Sequence, residues 1–398
     1  MKYREFGKLN IQVSALGFGC MRLPTVGGNA AAIDEPEATR ILRCAIDQGV
    51  NYVDTAYGYH DGNSELLVGR ALRDGYRQKV YLATKMPVWL VKTADDFDRL
   101  LDEQLRKLQT DHIDFYLLHA LSANSWPTVR DLKVTAWAER AIAQGKISHL
   151  GFSFHDTFKI FKGIVDDYDG WTFCQIQYNY VDEKVQAGRR GLQYAAAKGL
   201  GVVVMEPLRG GRLAMMPQPI VDILQRSKTR RTLADWALQW VWNQPGVSLL
   251  LSGMTTMQQV TENLASADAS GPGTLSKGDL GLIAEAHKEY RSLFPIPCTD
   301  CRYCMPCPNG VWIPHMFDLY NRAIVHGALE KARQSYNEPR RPGEDVRAAA
   351  CIACHKCEEL CPQKIAIADW MKEIHSVLGE GKKVHPIEAG HGKRNAKG

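Results

Sequence analysis

Three features of the 398-residue chain predict an α/β fold, a (β/α)8 TIM barrel followed by a small, mainly α-helical domain. Short apolar runs alternate with longer amphipathic ones from the N-terminus to about residue 285. Glycines end several of the helix-like stretches, at Gly49, Gly145 and Gly199, as a left-handed helix stop requires. Eight of the eleven cysteines then crowd into two windows, Cys298 to Cys307 and Cys351 to Cys361.

The expected strands are S-A-L-G-F-G-C, N-Y-V-D-T, K-V-Y-L-A-T-K, I-D-F-Y-L-L-H, I-S-H-L-G-F-S, F-C-Q-I-Q, G-V-V-V-M-E and V-S-L-L-L-S-G. Between them lie helix-like segments such as A-D-D-F-D-R-L-L-D-E-Q-L-R-K-L. Eight strand-helix units in one run favour a closed barrel over an open sheet. The opening M-K-Y-R-E-F-G-K-L-N-I-Q-V-S is expected to form a hairpin across the bottom. G-F-G at Gly17 to Gly19 runs into C-M-R-L-P, which does not open a helix, so it is not a Rossmann turn. The expected division is a barrel over 1–288, a cysteine-rich domain over 293–380 after the linker S-L-F-P-I-P, and a disordered basic tail over 381–398.

Composition narrows the function. Apolar residues make up 45% of the chain, ample for a large core. The net charge of +5 is spread among interspersed charges of both signs, which argues against a nucleic-acid partner. No apolar run is long enough to span a bilayer, and the first ten residues have no apolar signal core. A cytoplasmic protein with no membrane partner is therefore expected. There thiols stay reduced, so clustered cysteines imply metal rather than disulfides. Cys20, Cys44 and Cys174 stand apart and read as small buried hydrophobes.

A barrel of this kind carries its chemistry at the C-terminal ends of its strands. Those ends hold Asp54, Lys85 and His119 on the second, third and fourth barrel strands, with Tyr59 in the loop D-T-A-Y-G-Y. Singly each has a plain explanation: a helix cap, a solvated lysine, a satisfied histidine. Together they suit carbonyl reduction, which needs an acid for the forming alkoxide. A tyrosine of ordinary pKa near 10 is a reluctant donor. A lysine beside it is expected to lower that pKa, and a carboxylate to hold the lysine. The histidine can orient the carbonyl oxygen. Trp89 and Tyr57 are candidates for the substrate pocket, with packing as the alternative.

At these residues the sequence resembles the aldo-keto reductases, over residues 1 to about 285. V-D-T-A-Y-G-Y-H-D-G-N-S-E resembles the family's Asp-plus-Tyr loop, and L-A-T-K-M-P and F-Y-L-L-H-A its lysine and histidine strands. The resemblance implies NADP(H) or NAD(H) bound across the barrel mouth, with Tyr59 as acid/base, Asp54 and Lys85 tuning it and His119 orienting a small carbonyl or alcohol substrate. It also implies cofactor contacts at Cys20, Met21, Asp54, Ser153, Gln175, Met205, Glu206, Pro207, Leu208, Gly253, Met254, Gln259, Glu262 and Asn263. Two positions depart from the family pattern. Met205 stands where an aromatic ring often stacks on the nicotinamide, and no arginine lies near Gln259 to grip a 2′-phosphate. NADPH is favoured, NADH the alternative.

The second cysteine window, C-I-A-C-H-K-C-E-E-L-C-P, fits the bacterial [4Fe-4S] pattern C-x2-C-x2-C-x3-C-P in full. The first, C-T-D-C-R-Y-C-M-P-C-P, is one residue shorter at its last gap. In two-cluster ferredoxins the fourth cysteine serves the other cluster. By that rule Cys298, Cys301, Cys304 and Cys361 hold one cluster, and Cys351, Cys354, Cys357 and Cys307 the other. A four-cysteine zinc site is the competitor, mainly for the first window. The segment between the windows has helical period, and the whole resembles a dicluster ferredoxin-like domain of an iron-sulfur subfamily of aldo-keto reductases. Electron transfer, with an external redox partner, or redox sensing would be its role. The alternative is a redox protein whose barrel binds nucleotide but turns over little carbonyl.

Overall fold

The computed structural model of the chain describes residues 1–325, 327–338 and 346–384. Strands β1 (Tyr3–Phe6) and β2 (Leu9–Ser14) pair antiparallel as the opening hairpin. Their alternation turns Phe6 and Val13 inward, where they pack with Tyr52, Phe115 and Phe173 and fill the N-terminal end of the barrel. The hairpin turn needs Gly7. Its φ is +58°, and a Cβ there would lie 2.4 Å from the backbone nitrogen of Gly201.

Eight parallel strands follow: β3 (Leu16–Gly19), β4 (Tyr52–Asp54), β5 (Tyr81–Met86), β6 (Ile113–Leu121), β7 (Ile147–Phe154), β8 (Phe173–Gln177), β9 (Gly201–Met205) and β10 (Leu249–Ser252). Each pairs with the next, and β10 pairs with β3, so the sheet closes and leaves no open edge. The strands are apolar and almost entirely buried, as a sheet covered on both faces requires. The helix Asp95–Leu108 illustrates the outer layer. Phe97, Leu100, Leu101, Gln104 and Leu108 form its buried stripe, with acids in its first turn and Arg106 and Lys107 in its last.

The chain divides into two compact units, Met1–Ala214 with Thr229–Leu280, and Met215–Lys228 with the chain from Gly281 onward. This division differs from the expected one in assigning 215–228 and 281–288 to the second unit. An ion pair accounts for part of the grouping: Arg226, just past the helix Gln218–Gln225, donates from Nη1 and Nη2 to both carboxylate oxygens of Glu285, at 2.8 and 2.5 Å. Among its described residues the second unit is helical. The helical period between the cysteine windows resolves into two helices, Ile313–Val325 and Leu329–Asn337, with Gly327 at φ +60° between them. Its core gathers Phe317, Tyr320, Tyr336, Met371 and Ile374 around Cys298 and Cys361. Of the expected disordered tail, residues 385–398 lie outside the described residues. Gly381 and Lys382 are held by Arg333, whose Nη2 donates to both their carbonyls at 2.9 Å.

Candidate functional site

The ends of β4, β5 and β6 bring three of the four expected catalytic side chains together. In register Asp54 lies opposite Ala83, so Lys85, two residues on, points to the same interior. Lys85 Nζ donates to Asp54 Oδ1 and Oδ2 at 2.7 and 2.8 Å and to the Thr55 carbonyl at 2.8 Å. Both residues of the pair are buried. Behind it, Gln104 Nε2 donates to the Lys85 carbonyl and to buried Glu65, which fixes the strand that carries the ammonium.

Tyr59 sits in the loop after β4, with the Lys85 ammonium 4.9 Å from its ring centre and the His119 ring edge-on at 6.2 Å. The expectation that Lys85 lowers the Tyr59 pKa is not met. Burial, joined by the charges of Asp54 and Glu206, holds the phenol well above 10, while Arg22 pulls the other way. His119 lies well below its ordinary 6.5, pushed there by burial and then by Lys85 and His155, so its imidazole is neutral.

The mouth continues across β7, β8 and β9. Ser153 Oγ accepts from the Ala120 N–H at 2.8 Å, leaving its own hydrogen to donate. Ser153 pairs in register with Gln175, whose side chain is buried and whose Oε1 has no hydrogen-bond partner. An orphaned buried acceptor beside a hydroxyl donor fits the amide of a nicotinamide, which offers both an N–H and a carbonyl oxygen. Met205 ends β9, partly exposed. Glu206 follows at φ +57°, its carbonyl accepting from the Asn179 side chain and the Arg209 N–H, and its Oε2 is buried without a partner. Pro207 and Leu208 line the same turn.

At the expected adenosine end, Thr256 caps the helix Met257–Asp268, and Gln259 Oε1 accepts from the Thr255 N–H at 2.7 Å. Glu262 accepts from Gln258, and Asn263 is turned inward to Ser252. Cys20 and Met254 are fully buried, whereas Met21 and Gly253 reach the surface. Sequence reasoning stopped one residue short of Arg22. The Arg22 side chain lies on Gly253, where a Cβ would come within 3.0 Å of its Cβ, and Thr255 Oγ1 donates to its carbonyl. Its charge reaches both Tyr59 and Glu206, which makes it a cation within the mouth.

In the second unit the cysteines gather in two sets. One pocket is lined by Cys307 together with Cys351, Cys354 and Cys357. Cys304, its thiol raised by burial, feels Cys301, Cys298 and Cys361 as its charged neighbours. Cys357, pushed up to about 11 chiefly by burial, feels Cys351 and Cys307. Each set joins three cysteines of one window to the fourth of the other. Metal ligation deprotonates such thiols, so cluster binding and their ionisation would go together. Among the described residues no three His, Cys, Asp or Glu side chains stand together as the ligands of a single metal ion.

The model of the aldo/keto reductase family matches residues 15–272, more than half of the chain. The chain belongs to the aldo/keto reductase family. A model described as a 4Fe-4S dicluster domain matches residues 297–366 of this reductase, over both cysteine windows. It is 26% identical over 331 residues to an NADH-specific methylglyoxal reductase of Escherichia coli, covering 72% of the reductase and 98% of the relative. With a 6-dehydroglucose reductase of Novosphingobium aromaticivorans it shares 27% over 282 residues, 65% of the reductase and 88% of the relative. The solved aldo-keto reductase of Klebsiella pneumoniae in complex with NADPH superposes with a TM-score of 0.59 at 27% identity, covering 72% of the reductase and 95% of that chain.

Two further residues separate once the reductase is folded. Trp89, 56% exposed, lies with its ring 5.0 Å from His119 at the mouth. Tyr57 turns away, its hydroxyl donating to Glu103 and its ring under Lys107 on the helix Asp95–Leu108.

Proposed function

We propose that this reductase transfers hydride between a nicotinamide coenzyme and a small carbonyl compound, with Tyr59 handling the proton and the [4Fe-4S] domain exchanging single electrons with an external partner. The observation that carries the reading is the convergence of the Asp54–Lys85 pair, Tyr59 and neutral His119 at one barrel mouth. A bound reduced nicotinamide supplies the hydride. The Ser153 hydroxyl and the Gln175 amide would hold its carboxamide, Met205 would pack beside the ring, and Arg22 with the loop 253–256 would hold the phosphates. His119 donates one hydrogen bond to the substrate oxygen, and Tyr59, protonated at neutral pH, gives its proton to the alkoxide. Trp89 walls the pocket beside His119.

Likeness to the methylglyoxal reductases supports small aldehydes as substrates. The likeness to a structure holding NADPH supports that coenzyme, with NADH the alternative. Cys298, Cys301, Cys304 and Cys361 would hold one cluster and Cys307, Cys351, Cys354 and Cys357 the other. Reduced thiols in the cytoplasm suit such a domain.

Met205 in place of a stacking ring, and the lack of an arginine beside Gln259 in the sequence, favour a second reading, a redox protein whose barrel binds nucleotide with little turnover. One assay separates the two. Consumption of NADPH or NADH with a panel of small aldehydes, lost in Tyr59→Phe, supports the reductase, and no turnover with any carbonyl supports the second reading.

A further inference from the structure

His60, the residue after Tyr59, sits in a part of the mouth to which no role has yet been given. Tyr59 to Gly62 form a tight turn in which His60 and Asp61 both take left-handed backbone, at φ +53° and +54°. Non-glycine residues pay for that conformation, so two in succession need something to hold them. The holding contacts reach a neighbouring excursion of the chain, residues 23–33, between β3 and the helix Glu35–Asp47. That excursion folds on itself through a bridge between Thr25 and Ile33 and a bond from the Val26 N–H to the Ala32 carbonyl.

His60 Nε2 lies 3.1 Å from the Leu23 nitrogen, and Nδ1 lies 2.8 Å from the Ala30 oxygen. A main-chain N–H can only donate and a carbonyl can only accept. The ring must therefore accept at Nε2 and donate from Nδ1, which is the neutral tautomer with its hydrogen on Nδ1. Asn63 adds a third tie, donating to the Ala31 carbonyl at 3.0 Å. Leu23 follows Arg22, so one imidazole links the turn that carries Tyr59 to the turn that carries Arg22.

We propose that His60 is a positioning residue: its ring clamps the 23–33 excursion and thereby fixes Tyr59 against the substrate carbonyl. The proposal rests on the reductase reading of Tyr59. A misplacement of the acid by about 1 Å costs on the order of 100-fold in rate.

The test compares the wild-type chain with His60→Phe, which keeps the ring and loses both bonds, and His60→Gln, which keeps a donor and an acceptor. With a small aldehyde and NADPH, His60→Phe is expected to lose about 10- to 100-fold in kcat. His60→Gln should recover part of that loss. Hydrogen exchange at the Leu23 amide gives a readout independent of turnover, and it should be faster in His60→Phe. Equal kcat in all three chains would overturn the positioning role while leaving the reductase reading intact. Unchanged exchange at Leu23 would overturn the clamp. No turnover by the wild-type chain would overturn the reductase reading and the positioning role with it.

Discussion

Lys85 gives all three of its ammonium hydrogens away, two to Asp54 and one to the Thr55 carbonyl, and it meets Tyr59 only across the ring face. The pair is thus a buried anchor as much as a tuner. Lys85→Met would strand the Asp54 carboxylate in a site with almost no solvent access, at a cost of about 3–5 kcal/mol. Thermal or denaturant unfolding should show that loss. Combining it with Asp54→Asn should restore most of the stability and none of the activity. A single variant as stable as the wild type would contradict the description of the pair as buried and charged.

The direction of the Tyr59 shift sets the pH behaviour. Reduction needs the protonated phenol, and a pKa held above 10 keeps it protonated through neutrality. His119, held below 6.5, stays neutral over the same range. The kcat for aldehyde reduction is therefore expected to be level between about pH 6 and pH 9, falling only in stronger alkali. Alcohol oxidation needs the phenolate and should rise about tenfold per pH unit in that window. A reduction rate that declines from neutrality upward would mean that Lys85 does lower the tyrosine pKa.

The crossed cysteine sets can be separated by counting iron. Two [4Fe-4S] clusters require about eight irons. Cys307→Ser should lose about half, and adding Cys351→Ser should lose little more, because both serve one cluster. Cys307→Ser with Cys361→Ser should lose nearly all. If the first double variant lost both clusters as well, each window would hold its own cluster.

Coenzyme contacts supply a fourth outcome. Arg22→Ala removes the cation of the mouth and should raise the KM for NADPH and NADH alike, by about 10-fold or more, as expected when a charge-assisted contact is lost. Gln259→Arg adds a fork at the exposed start of the helix Met257–Asp268 and should raise the preference for NADPH. Steady-state constants for both coenzymes check both variants, and an unchanged preference in Gln259→Arg would place the 2′-phosphate elsewhere.

The barrel was legible because its eight apolar runs are bounded by helix stops, and the strand ends named Asp54, Lys85 and His119 directly. The cysteine spacing likewise announced its chemistry. What escaped was set by three-dimensional neighbours. Arg22 packs on Gly253, a contact between positions 231 residues apart. The Tyr59 pKa is raised by burial first and then by Asp54 and Glu206, the last on a left-handed backbone that no pattern marks. Residues 215–228 carry a helix whose packing partner cannot be read from its own periodicity. Tyr57 was an equal candidate with Trp89 until Glu103 and Lys107 drew it away.

Label transfer tests hydride transfer at the barrel mouth most directly. The wild-type protein would reduce a small aldehyde with NADPH carrying deuterium at both positions of the nicotinamide C4, and the product alcohol would be examined by mass spectrometry and NMR. The expected result is one deuterium at the carbinol carbon, with no transfer in Tyr59→Phe. Alcohol formed without deuterium, or coenzyme oxidised without alcohol, would contradict hydride transfer at this site and assign the electrons to the iron-sulfur domain instead.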